Sequence, residues 1–134
     1  MKERFQQAIW QPLDASEIQV TAMVPDTTSG PSVKVNIAAA DLDLVQGSGR
    51  RIDQLDIFFI QRDDAGLHAQ MEGQTIGLRL LPATYVREMA DGIPFEHPVK
   101  LKPGTGSLRV LVVDRNSGRM GSVTIPAAAF GSAR

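Results

Sequence analysis

"VLVVDRNSGRMGSVTIP", residues 110–126, sets a polar cluster between two apolar runs, and the reading of that cluster decides the fold. Asp114-Arg115-Asn116-Ser117-Gly118 begins like the calcium loop of an EF-hand, whose sixth position needs glycine and whose twelfth needs glutamate. Arg119 and Ile125 stand there instead. A nucleophilic Ser117 would need a base and an orienting group, and no histidine is near it in sequence. Asp114, Asn116 and Gly118 are the residues of a type I turn closing on a left-handed glycine, a common short link between antiparallel strands. The stretch therefore reads as a β-hairpin with strands over 106–114 and 119–126.

Working outward, the same two-residue period recurs. Ile18, Val20, Ala22 and Val24 alternate with Gln19, Thr21 and Met23, and Val33, Val35, Ile37 and Ala39 with Lys34, Asn36 and Ala38. Turn formers fill 25–32, 46–50 and 63–66, and 52–62 reads as a third strand. The run 67–80 reads as a strand interrupted at Glu72-Gly73 by a bulge or a change of sheet. Residues 82–92, from Pro82 to Gly92, read as one or two helical turns. In 93–101, Pro94 and Pro98 fall on the polar side and predict an edge strand, because proline donates nothing to a ladder. Ahead of all this, Phe5, Ala8, Ile9 and Leu13 recur at helical spacing beside Trp10, and Pro12 ends that helix.

About seven short strands with such turns predict an all-β fold, an immunoglobulin-like antiparallel β-sandwich with a short N-terminal helical segment. A small barrel is the alternative. The expected organisation is a helical linker over 1–15, the sandwich over 16–130 and a tail over 131–134.

Composition narrows the function. The chain has 134 residues, 43% of them apolar, which suits one domain with one core. Fourteen basic and fifteen acidic side chains leave a formal net charge of −1, without the basic footprint of a nucleic-acid or anionic-membrane binder. No stretch approaches the roughly 18 apolar residues of a membrane span. The residues after Met1 carry no apolar signal-peptide core. Without cysteine there are no disulfides or thiolate sites.

Few residues point to chemistry. His68 and His97 share no metal-binding spacing and read as surface strand residues. Asp41, Asp43, Asp63 and Asp64 are the candidate calcium ligands, since loop carboxylates of β-sandwiches hold that ion, yet each pair also suits a solvated turn. Asp53 and Asp56 fall on opposite faces of a regular strand, so they do not converge as an acid–base pair. No catalytic residue, metal site or cofactor is expected.

One face is less ordinary. In 52–62, Leu55, Ile57 and Phe59 point inward, which leaves Phe58 and Ile60 outside; in 106–114, Leu111 and Val113 share the outer side with Arg109. If the two strands are neighbours, Phe58, Ile60, Leu111 and Val113 form one apolar patch that must be covered or used. Either the N-terminal segment folds over it through Phe5, Ile9 and Trp10, or it docks another domain or a second copy of the chain.

Residues 101–126, "LKPGTGSLRVLVVDRNSGRMGSVTIP", resemble the C-terminal module of von Willebrand factor A-related proteins of Acidobacteria. Pro103-Gly104, Leu108-Arg109-Val110, Asp114, Ser117-Gly118-Arg119 and Gly121-Ser122 carry the resemblance. Residues 6–20 are similar to the opening of that module and 55–66 to its central strand and turn. Gly106 departs from the pattern, standing where an aromatic is usual. The resemblance implies an exported protein with an A-type domain ahead of residue 1, and that Met1 is not the natural start. That domain's D-x-S-x-S metal motif does not occur here. The expected role is a non-catalytic interaction or spacer module; the alternative is a small carbohydrate- or ligand-binding sandwich, calcium-dependent or not.

Overall fold

Alternating apolar residues build two antiparallel sheets that face each other across one core. The computed structural model describes residues 2–25 and 30–130. Its elements are α1 (Lys2–Trp10), β1 (Val20–Met23), β2 (Ser32–Ile37), β3 (Val45–Gly47), β4 (Arg50–Asp63), β5 (Ala69–Leu80), α2 (Pro82–Asp91), β6 (Ile93–Pro98), β7 (Thr105–Asp114) and β8 (Met120–Pro126). Residues 26–29 of the turn run over 25–32 lie outside the described residues, and so does the tail over 131–134.

The smaller sheet has the order β1-β2-β6. In the larger sheet β4 is central. It pairs with β5 along one edge from Arg51 to Arg62, while β7 and the short β3 share its other edge, and β8 lies beyond β7. Between the sheets Val33, Val35 and Ile37 of β2 meet Leu55, Ile57 and Phe59 of β4 and Leu108, Val110 and Val112 of β7. β7 is buried at every position from Leu108 to Asp114, because the inter-sheet core covers one of its faces and α1 the other.

The hairpin at 110–126 forms as read. Asp114 N donates to Arg119 O, Gly118 N donates to Asp114 O at 2.7 Å, and Gly118 takes a positive φ of 78°. The edge position of 93–101 also holds: β6 ends its sheet and carries both prolines.

Three local readings change. β3 is an additional strand, closed onto β4 by the two-residue turn Ser48-Gly49, so the strands number eight among the described residues. β5 is not interrupted at Glu72-Gly73: it pairs with β4 without a register shift from Ala69 to Leu80. Gly73 lies opposite Phe58, and a Cβ there would meet the Phe58 ring at 2.9 Å, so glycine makes room for an aromatic ring and marks no bulge. Residues 18–24 are not one strand. Glu17 and Ile18 donate to Met120 O and Ser122 N donates to Ala15 O, alongside a Ser16–Gly121 bridge; the chain then steps into β1 of the other sheet.

That crossing depends on Gly121, where a Cβ would run into the carbonyl of Ile18. Gly121→Ala forces two backbones apart, so a loss of about 1–3 kcal/mol is expected, in the range of overpacked cores. A lower urea midpoint at unchanged m-value would record it.

Candidate functional site

The apolar outer face of the larger sheet exists, and the chain itself covers it. Phe58 sits directly across from Leu111, and Ile60 across from Arg109, confirming β4 and β7 as neighbours. α1 presents Phe5, Ala8 and Ile9 to this face, and the ring centroids of Phe5 and Phe58 lie 4.8 Å apart. Ile60 and Leu111 become fully buried and Val113 nearly so, while Phe58 is half-buried. Ile60 and Leu111 are therefore not an open docking surface, Phe58 and Val113 keep only a margin beside α1, and α1 is packed on the sheet. Trp10 faces away from this cluster, 43% exposed, with Leu13 beyond it at 80%.

What holds α1 there is an arginine. Helices favour positive charge at their C-terminal carbonyls, and α1 has no basic residue in its last turn. The sheet supplies it. Arg109, with no exposed surface, donates through Nη1 to Ala8 O at 2.7 Å, through Nη2 to Pro12 O at 3.3 Å and through Nε to Thr124 Oγ1 at 2.9 Å. Asp14 stands 3.3 Å from Nε and accepts from the hydroxyls of Ser122 and Thr124. Arg62 adds donors to Ile9 O and Gln11 O. Burial pulls the Arg109 pKa down, nearby Arg62 adds to the shift, and Asp14 opposes it.

The inward faces of β4 and β7 end on a second buried feature, the carboxylates of Asp53 and Asp114. Asp114 Oδ2 accepts from Asp43 N and the Ser117 hydroxyl, both at 2.8 Å, and Oδ1 accepts from Asn116 N. These donors and the bond to Asp53 outweigh desolvation and hold Asp114 below the usual carboxylate range. Asp53 Oδ1 accepts from Gln54 N, and its Oδ2 is buried with no donor other than a proton. Desolvation, followed by the bond to Asp114, pushes Asp53 up to about 7. A neutral Asp53 bonded to an ionised Asp114 satisfies both groups. The sequence carried a signal for this pair, because Asp53 continues the Leu55-Ile57-Phe59 face and Asp114 the Leu108-Val110-Val112 face.

The calcium candidates divide between the two ends of β4. Asp41 accepts from Gln19 N, and Asp43 lies beside Asp114 with its carbonyl bonded to Asn116. Asp63 accepts from Leu67 N and His68 N and meets His68 Nδ1 at 3.0 Å, contacts that hold its pKa low. Asp64 occupies the space over Gly106, which explains why that position holds no side chain. Ten residues of extended chain keep the two pairs about 33 Å apart.

His97, expected on the surface, is instead partly buried. It shares the inward side of β6 with Ile93 and Phe95, stacks on Phe59 with centroids 3.8 Å apart, and reaches Glu72 Oε1 at 3.3 Å. It lines a groove of about 570 Å³ between the edge strands β5 and β6, with Phe59, Gln61, Gln70, Glu72, Lys100 and Lys102. Gln61 is occupied in holding the adjoining loop: its amide donates to Lys100 O and its oxygen accepts from Lys102 N and Thr105 Oγ1.

Beside the groove runs the free edge of β5. Asp63 N donates to His68 O, which makes odd-numbered β4 residues the hydrogen-bonded partners of even-numbered β5 residues. The backbone groups of Ala69, Met71, Gly73, Thr75 and Gly77 therefore point away from β4, and no strand pairs with them among the described residues.

Compared with protein-family models, curated proteins and solved structures, the chain matches none.

Two outcomes follow from the buried charges. Arg109→Ala removes the donors to Ala8 O and Pro12 O and leaves Asp14 without its buried counter-charge, at an expected cost of about 3–5 kcal/mol, as when a buried charged network loses a member; exposure of Phe58 and Leu111 should then appear as dye binding and self-association. For Asp53 the folded pKa of about 7 exceeds the unfolded value of 3.8. The native state keeps a proton that the unfolded chain has released, so this stabilisation is complete below about pH 4 and lost as pH rises to about 7. Asp53→Asn keeps a donor toward Asp114 and should flatten the fall in denaturation midpoint between those pH values.

Proposed function

We propose that this domain is a non-catalytic interaction module of a larger exported protein. The observation that carries the reading is how the chain uses its ionisable and hydroxyl groups. Arg109 fastens a helix, Asp114 organises a turn, the Ser117 hydroxyl bonds to Asp114, and His97 is stacked on Phe59. Asp53 and Asp114 are close enough to share a proton but are shut away from solvent. Nucleophilic catalysis needs a nucleophile and base in mutual reach beside a space for substrate, and these groups are committed elsewhere.

The competing reading, a calcium-dependent carbohydrate binder, needs the aspartate pairs to converge, whereas β4 separates them. Export enters through the resemblance of 101–126 to the closing module of von Willebrand factor A-related proteins, whereas an immunoglobulin-like relationship for the sandwich rests on its short strands and turn spacing. A partner on another polypeptide fits better than a second copy docked on Phe58 and Leu111, because α1 already occupies that face.

Screening the immobilised domain against a displayed random-peptide library and a glycan array tests the reading. Peptides are expected to be retained and glycans not, with calcium leaving the melting temperature unchanged. Turnover of an ester, glycoside or peptide substrate that His97→Ala or Asp53→Asn abolishes would overturn it, as would glycan retention that requires calcium.

A further inference from the structure

We infer that the partner binds as an added strand on the outer edge of β5, and that it is an extended polypeptide segment alternating acidic with apolar side chains. The inference rests on the interaction-module reading and names the place and the chemistry of the contact.

The other edges are closed to this kind of contact. β6 carries Pro94 and Pro98, β8 is bordered by Ala15–Ile18, and β1 and β3 are only four and three residues long. β5 is twelve residues long, has no proline, and offers unpaired N–H and C=O groups from Ala69 to Gly77. Such a row is a template for one more strand.

Its two flanks differ in chemistry, and that difference selects the occupant. On the inner flank lies the groove with Lys100 and Lys102, which make no ion pair among the described residues; Glu72 there is taken up by His97. On the outer flank a hollow of about 380 Å³ is lined mainly by Phe5, Phe58, Met71, Val113 and Met120, with Asp114 and the Asp56–Arg115 ion pair completing it. Gly73 bears no side chain, so the Phe58 ring is reachable over it from the edge. Side chains of an added strand alternate between these flanks, one set meeting lysine and the other an aromatic and methionine surface. A second copy fits less well, because its β5 would bring Gln70, Gln74 and the single acid Glu72 to the lysines instead of an acidic row.

Gly77 gives a clean test. Its N–H points outward and a Cβ there meets nothing within 4 Å, so Gly77→Pro deletes an edge donor and Gly77→Ala is the steric control. The probes are synthetic peptides of about ten residues, the reach of a long strand, alternating valine with glutamate or valine with lysine. Calorimetry should show the glutamate peptide binding and the lysine peptide not, with amide shifts and slowed exchange at Ala69, Met71, Gly73, Thr75 and Gly77. Gly77→Pro should weaken binding about fivefold, the value of one hydrogen bond, and Gly77→Ala should not. Lys100→Glu with Lys102→Glu should reverse the preference. Absence of binding at millimolar glutamate peptide, equal binding of both peptides, or indifference to Gly77→Pro overturns strand addition. Binding of library peptides that ignores the β5 variants would leave the module reading standing and remove this one, and concentration-dependent dimerisation blocked by Gly77→Pro would replace the partner with a second copy.

Discussion

A guanidinium buried under a short helix holds this molecule in its observed form. The outer face of β4, β7 and β8 would otherwise be a hydrophobic sheet surface exposed to water, and the nine-residue α1 is too short to persist without tertiary support. Arg109 resolves both problems. It neutralises the carbonyl end of the helix, ties the following turn through Pro12, and finds its counter-charge in Asp14. Its place in the middle of β7 brings the N-terminal helix against a strand 101 positions further along the chain.

The same strand carries the molecule's other electrostatic arrangement. Five residues after Arg109, Asp114 ends the inward face of β7 and collects Asp43, Asn116, Ser117 and Asp53 around it. Asn116 then spans to the carbonyls of Asp43 and Ile52, so the β7–β8 turn also secures the short β3 beside β4. The outer face is organised around a cation and the inner end around an ionised carboxylate with a neutral companion. Both arrangements draw on neighbouring strands, and so depend on register being right across the whole sheet.

Period-two alternation made β4 and β7 legible, and parity placed Phe58, Ile60, Leu111 and Val113 on one outer face once the two strands were taken as neighbours, a pairing the structure supplies. Legibility stopped where a residue's role depends on what another element brings to it. Gly73 looked like a break because its partner, the Phe58 ring, lies on a different strand. His97, between Glu96 and Pro98, reads as a surface residue, and nothing local reveals that Phe59 lies beneath it. Gln19 reads as an ordinary strand residue, although the chain changes sheets there, a change fixed by Met120 and Gly121 about a hundred positions away. Asp53 and Asp114 each resemble a solvated acid at a strand end, and only their adjacency in the sheet makes one of them hold a proton near neutrality.

The prolines of β6 have a further consequence for the molecule's behaviour in crowded surroundings. A sheet protein with two available margins joins copy to copy without limit and ends as fibre, whereas one with a single available margin is saturated by a single guest. Pro94, Pro98 and the Ala15–Ile18 crossing thus act as stoppers, fixing the stoichiometry of any such assembly at a finite number.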